Sequence, residues 1–336
     1  MQKPRSSGAG CGVLLLPLLV MISFARPCRS TLYNPPQPVM VYHAGAVLEG
    51  TVPVSVLYYG AFSPHQKAVI ADFLLSLSPR GGGPRHQPQH HYGFGAPGHP
   101  APASAPSVAR WWETVDRYVR KAGRDDPPRV LLASQVHDEA CSLGKTLSRL
   151  QVERLAARLG VAAGGVAVVL TAADVAVEGQ CSSACGSHGA SAPGGAAHVW
   201  VGNAAAQCPG RCAWPFHPAE GFAYGGARHG RGGETLAAPN GDVGVDGMLV
   251  NLAAMLAGAV TNPYGHGFFQ GDPGAAVEVA AACPGVYGRG AYPGYPGAVR
   301  RDTVTGAGYN VVGRNGRKYL VPALVDPDNY SCIIMS

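Results

Sequence analysis

Apolar residues from Val52 to Tyr59 run almost unbroken, with Val52, Val54, Val56 and Tyr58 on one face and Leu57 and Tyr59 on the other. That pattern predicts a strand buried on both sides and stopped at Gly60. The period then becomes helical. Val69, Ile70, Phe73, Leu74 and Leu77 follow Ser63-Pro64-His65-Gln66, in which Ser63 is a predicted N-cap, Pro64 the first helical residue and Gln66 the capping-box partner. A second helix is predicted from a Ser107 cap to about Lys121, with Val108, Trp111, Trp112, Val115, Tyr118 and Val119 along its apolar stripe. Further along come a strand at Val130–Val136, an amphipathic helix at Leu147–Leu159, a short apolar strand at Val166–Leu170 and another strand at His198–Val201. An Ala-, Leu- and Met-rich helix spans Val245–Val260 and stops at Thr261-Asn262-Pro263. Beyond Tyr264 the chain reads as a loop-rich tail with a few strands. This order of elements predicts an α/β or α+β fold, a layered sheet with helices and long loops.

Composition changes this picture in two places. At 46% hydrophobic and 14% charged residues the chain can bury a sizeable core, and 47 Gly with 29 Pro imply many turns. Residues 79–106 concentrate Gly81-Gly82-Gly83, repeated Pro, and His86, His90, His91 and His99. Such a stretch cannot hold the helix that would align His86 with His90 as metal ligands, so it reads as a flexible insertion with no metal.

The net charge of +6 is local. Lys3, Arg5, Arg26 and Arg29 supply most of it, so the remaining chain offers no basic surface for nucleic acid or an anionic membrane. Those charges flank a short apolar run, Cys11–Ile22, followed by Ser23-Phe24-Ala25, which predicts a secretory signal peptide over residues 1–25 cleaved between 25 and 30. No later stretch reads as long and apolar enough to span a bilayer, which predicts a single secreted domain over 31–336.

The nine cysteines fit an oxidising compartment. Cys11 and Cys28 lie in or beside the leader, and six of the others, Cys181, Cys185, Cys208, Cys212, Cys283 and Cys332, occupy Gly/Pro-rich segments that need staples. Three disulfides of unspecified connectivity are expected, with Cys141 left free and reactive. A zinc site from Cys181-x3-Cys185 and Cys208-x3-Cys212 is the competing arrangement. Asn329-Tyr330-Ser331 is a glycosylation sequon.

Several segments are distinctive as wording. Leu57-Tyr58-Tyr59-Gly60-Ala61-Phe62-Ser63-Pro64, Val168-Val169-Leu170-Thr171-Ala172-Ala173-Asp174, Cys208-Pro209-Gly210-Arg211-Cys212-Ala213-Trp214-Pro215-Phe216-His217, Ala238-Pro239-Asn240-Gly241-Asp242 and Cys283-Pro284-Gly285-Val286-Tyr287-Gly288 resemble the plant EXORDIUM or phosphate-induced protein family. The resemblance runs from about Tyr42 to Cys332. It implies a secreted protein of the apoplast or cell wall, linked to brassinosteroid-promoted cell expansion, with no established catalytic activity or ligand; no cofactor is expected.

The chain has no complete catalytic motif. There is no Gly-x-Ser-x-Gly elbow, Ser187-His188 reads as loop polarity, and the Gly-rich runs lack the Lys-Ser/Thr of a nucleotide loop. Asp242 and Asp246, at the start of the last helix, are the candidate binding residues; the bland role for them is to complement the helix N-terminus. The close of that helix is similar to the active-site helix of some zinc metallopeptidases, a resemblance that implies a degenerate zincin-like fold; the alternative is an ordinary buried helix with an Asn-Pro stop. In that register the ligand and base positions fall on Ala254, Met255 and Gly258, none of which binds zinc. The expected function is binding of a cell-wall glycan or a cell-surface protein. The alternative is a wall hydrolase using Asp174, Glu178, Asp242 and Asp246.

Overall fold

The first strand of any length, β2 (Thr51–Tyr59), is buried over its last six residues and lies beside the wholly buried β5 (Val166–Thr171). The computed structural model describes residues 37–78, 106–190, 192, 194–218 and 235–335. The expected leader at 1–25 and nearly all of the insertion at 79–106 lie outside them. In chain order the elements are β1 (Val41–Tyr42), β2, α1 (Pro64–Ser76), α2 (Val108–Lys121), β3 (Arg129–Asp138), β4 (Thr146–Leu147), α3 (Arg149–Ala157), β5, β6 (Ala176–Val177), β7 (Gly186–Ala190), β8 (Ala197–Gly202), α4 (Pro209–Cys212), α5 (Val243–Thr261) and β9 (Phe268–Phe269). After β9 come short two-residue ladders, such as Val311–Val312 against Lys318–Tyr319.

The main sheet has the order β3-β2-β5-β8-β7. Its first four strands are parallel, and β7 closes one edge antiparallel to β8. This is an α/β layered fold, as the alternation of strands and helices predicts. Capping chemistry starts each helix where it does. The Ser63 and Gln66 side chains exchange hydrogen bonds with each other's backbone N–H at 3.2 and 2.9 Å. Ser107 accepts from Arg110 N at 3.1 Å. Helix α3 begins two residues later than the periodicity suggests because Ser148 and Gln151 form a second capping box.

Helices α1, α2 and α5 pack on one another, and α3 lies against β5 and β8. Two expectations fail here. Ser187 and His188 belong to the edge strand β7, paired with Trp200 and Val199, because Gly186 and Gly189 let the chain lie close against β8. Helix α5 is also long and apolar enough to cross a membrane, contrary to the reading of the sequence, yet 78% of it is buried. Its apolar circumference serves the core of this fold.

Three disulfides staple the loops: Cys181–Cys208, Cys185–Cys212 and Cys283–Cys332. The first two tie the loop before β7 to α4, so the thiols of the competing zinc arrangement are consumed. Cys141 is free but 7% exposed, and burial pushes its thiol up from the usual range. The expectation of a reactive thiol is therefore corrected: a neutral, covered thiol is a poor nucleophile.

Candidate functional site

Helix α1 starts one wall of a polar cleft of about 580 Å³, a size typical of small-ligand sites. It contributes His65 and Asp72; the segment before α5 contributes Ala238–Gly241; the tail contributes Asp302, Thr305 and the turn Asn315–Lys318. The lining is held by its own hydrogen bonds. Asp72 accepts from Asn315 Nδ2 at 3.0 Å and from Arg317 Nε at 3.0 Å. Asn240 Oδ1 accepts from Arg317 at 3.3 Å, and the Asn240 carbonyl accepts from His65 Nε2 at the same distance. Lys318 pairs with Asp302 and sits 5.2 Å from the centre of the Tyr309 ring. Asp302 also accepts from Val304 N and Thr305 N, which fixes the neighbouring turn. Two carboxylates face two cations, so the cleft presents many oriented donors and acceptors with little net charge.

The predicted residues Asp242 and Asp246 stand behind this surface. Asp242 is the N-cap of α5: one oxygen accepts from Val245 N at 3.0 Å and the other from Gln66 Nε2 at 2.8 Å. Gln66 thereby ties the start of α1 to the start of α5. Asp246 is 2% exposed and accepts from Asn240 N at 2.8 Å and Asn240 Nδ2 at 2.6 Å. Burial raises its carboxyl to about 7, against the opposing effect of the Asn240 hydrogen bonds. Asp246 therefore acts on the cleft through Asn240, whose side chain it orients.

The other two carboxylates of the hydrolase alternative have separate duties. Asp174 pairs with Lys145, and Glu178 accepts from Arg149 N at 3.3 Å. No hydrogen bond or ion pair joins them to Asp242 or Asp246 among the described residues. The lining residues His65, Asp72, Asn240, Asp302, Asn315, Arg317 and Lys318 escaped sequence reasoning, since they come from four distant segments and none stands out within its own segment.

At the metallopeptidase-like register, Gly258 faces a polar cluster. His188 Nε2 and Glu278 Oε2 are 2.5 Å apart, and Glu278 Oε1 accepts from Asn262 Nδ2 at 2.6 Å. A Cβ at Gly258 would lie 2.5 Å from His188 Nε2, so these side chains occupy the space beside the helix. With Ala254, Met255 and Gly258 the helix itself brings no donor to that place. A second, smaller cavity of about 320 Å³ is lined by Met40, Val41, Tyr42, Tyr118, Lys121, Phe268, Pro327 and Tyr330. The sequon lies at its edge: exposed Asn329 accepts through Oδ1 from Ser331 N at 2.9 Å and Ser331 Oγ at 2.6 Å.

A parallel sheet with one antiparallel edge, three disulfides and a polar cleft define a stapled α/β protein. Residues 40–335 match the model of the phosphate-induced protein 1 conserved region. The chain belongs to this phosphate-induced and EXORDIUM family. It is 41% identical to Protein PHOSPHATE-INDUCED 1 of Nicotiana tabacum, over 95% of this chain and 97% of that one. It is 42% identical to Protein EXORDIUM of Arabidopsis thaliana over 96% and 97%, and 43% identical to Protein EXORDIUM-like 1 of the same plant over 87% and 88%. No solved structure matches the chain.

Proposed function

We propose that this is a secreted apoplastic protein that promotes cell expansion by binding a neutral cell-wall glycan in the polar cleft. The observation that carries the reading is the lining itself. Amides, paired carboxylates and paired cations with little net charge suit the many hydroxyls of a sugar, each both donor and acceptor. Export is supported by the leader pattern at 1–25, by three disulfides and by the sequon at Asn329. Growth promotion and the link to brassinosteroid rest on the family alone. The separate engagements of Asp174, Glu178, Asp242 and Asp246 favour binding over hydrolysis.

The reading is tested by calorimetry of the secreted protein against soluble wall oligosaccharides. Asn315→Ala removes an exposed amide from the cleft and should weaken binding about tenfold, roughly 1.4 kcal/mol, while leaving the melting temperature unchanged. Binding unaffected by Asn315→Ala and by Lys318→Ala would place the ligand elsewhere.

A further inference from the structure

The strand β3 forms the outer edge of the main sheet, paired only with β2 among the described residues. Its register slips once. Val54 pairs with Leu132 and Ser55 with Ser134, so Ala133 is an inserted residue. This bulge changes which side chains share a face. Arg129, Leu131, Val136 and Asp138 pair with Thr51, Pro53, Leu57 and Tyr59, alternate positions of β2, and so all four lie on one side of the sheet. Without the inserted residue, Leu131 and Val136 would point to opposite sides. With it, the exposed large aliphatics of this strand, 53% and 44% accessible, stand together between a cation at one end and a carboxylate at the other.

We infer that β3 pairs antiparallel with β3 of a second copy of this chain, about a twofold axis at the bulge, to make one continuous ten-stranded sheet. The pattern is self-complementary in one register. Arg129 meets the partner's Asp138, and Leu131 meets the partner's Val136. Backbone direction agrees. Arg129 N donates inward to Gly50 O at 2.7 Å and Asp138 O accepts from Gly60 N at 2.9 Å, so both ends of the strand turn toward β2. By alternation Val130, Leu132, Gln135 and His137 turn their N–H and C=O outward. The same register sets Val130 against the partner's His137 and Leu132 against the partner's Gln135, so outward groups meet outward groups. Leu131 and Val136 then fall at a non-hydrogen-bonded position, where side chains approach most closely. The two bulges meet on the axis, leaving the ladder as two arms on either side of it. The other side of β3 is already occupied: Tyr58 donates to Gln135 Oε1 at 3.0 Å and stacks on His137.

The test is light scattering of the secreted full chain at rising concentration, joined to a cross-linking measurement. The wild type should reach twice the mass of one chain, and Leu131→Lys, a change at a half-exposed position, should halve that mass with an unaltered circular dichroism spectrum and melting temperature. An equimolar mixture of Leu131→Cys and Val136→Cys proteins should oxidise to a disulfide-linked dimer, while each alone should not, since the register places position 131 opposite 136. A wild type that stays monomeric at every concentration overturns the inference, as does a dimer that Leu131→Lys leaves intact. Cross-linking of Leu131→Cys protein to itself overturns the register.

Discussion

Asp246 shows how one side chain carries an energetic cost for the sake of geometry. Its carboxyl is buried and raised to about 7 from 3.8, so the folded chain binds this proton more tightly than the unfolded chain does. Protonation therefore favours folding. The stability contributed by this group is fully present below pH 3.8, declines as pH rises toward about 7, and is flat above that value. The ceiling on the change is about 4 kcal/mol. Asp246→Asn carries no titrating proton, so the difference in unfolding free energy between variant and wild type should follow that curve. The amide also replaces an oxygen that accepts from Asn240 with a donor, which should cost about 1 to 3 kcal/mol at acid pH. The deficit should shrink as pH rises to neutrality. Urea denaturation at several pH values reads both effects; a deficit independent of pH would mean that burial leaves the Asp246 carboxyl with the same proton affinity in the folded and unfolded chain. The smaller cost expected of a mere helix-terminus charge does not apply to a residue this buried.

At the scale of elements, α5 is governed by what packs against its glycines. Gly258 faces His188 and Glu278, and a Cβ there would come within 2.5 Å of His188 Nε2 and 2.6 Å of Glu278 Oε2. Alanine is the better helix former, which in isolation would stabilise the helix by about 1 kcal/mol. Here the clash wins, because both side chains are about nine-tenths and four-fifths buried and cannot swing into water. Gly258→Ala should lower stability by about 1 to 3 kcal/mol, as overpacking does. Thermal unfolding compared with Ala259→Gly, which loses propensity without a clash, separates the two causes. A more stable Gly258→Ala protein would show that the His188–Glu278 pair has room to move.

Across the whole molecule, the tail is secured on the helical layer. Trp111 Nε1 donates to Pro322 O at 2.8 Å, Tyr118 OH to Val325 O at 2.9 Å, and Arg117 pairs with Asp326. The Cys283–Cys332 disulfide closes a loop of 49 residues that includes the cleft's Asp302 and Asn315–Lys318 turn. On the chain-entropy model this bond is worth about 4 kcal/mol. Cys332→Ser, which also leaves Cys283 unpaired, should reduce the secreted yield and lower the melting temperature. The surviving protein should still bind ligand, because the tail contacts that shape the cleft are separate from the bond. Normal yield and melting would mean that those contacts alone hold the tail.

The strands, helices and caps were legible because each rests on neighbours in sequence: Ser63 with Gln66, the unbroken run at Val166–Leu170, the stripe of Trp111, Val115 and Tyr118. The disulfide cysteines were legible as a set, since all six sit in Gly/Pro-rich segments of the second half of the chain, but their pairing depends on which loops the sheet brings together. Strand β7 was not legible, because Gly186-Ser187-His188-Gly189-Ala190 has no strand-like apolar alternation and is a strand only by virtue of β8 beside it. The cleft was the least visible feature. Asp72, Asn240, Asp302 and Arg317 are unremarkable locally and become one surface only when α1, the approach to α5 and the tail converge. Local chemistry is fixed by adjacency along the chain, whereas a binding surface and the protonation of Asp246 depend on burial and distance, which only the tertiary packing supplies.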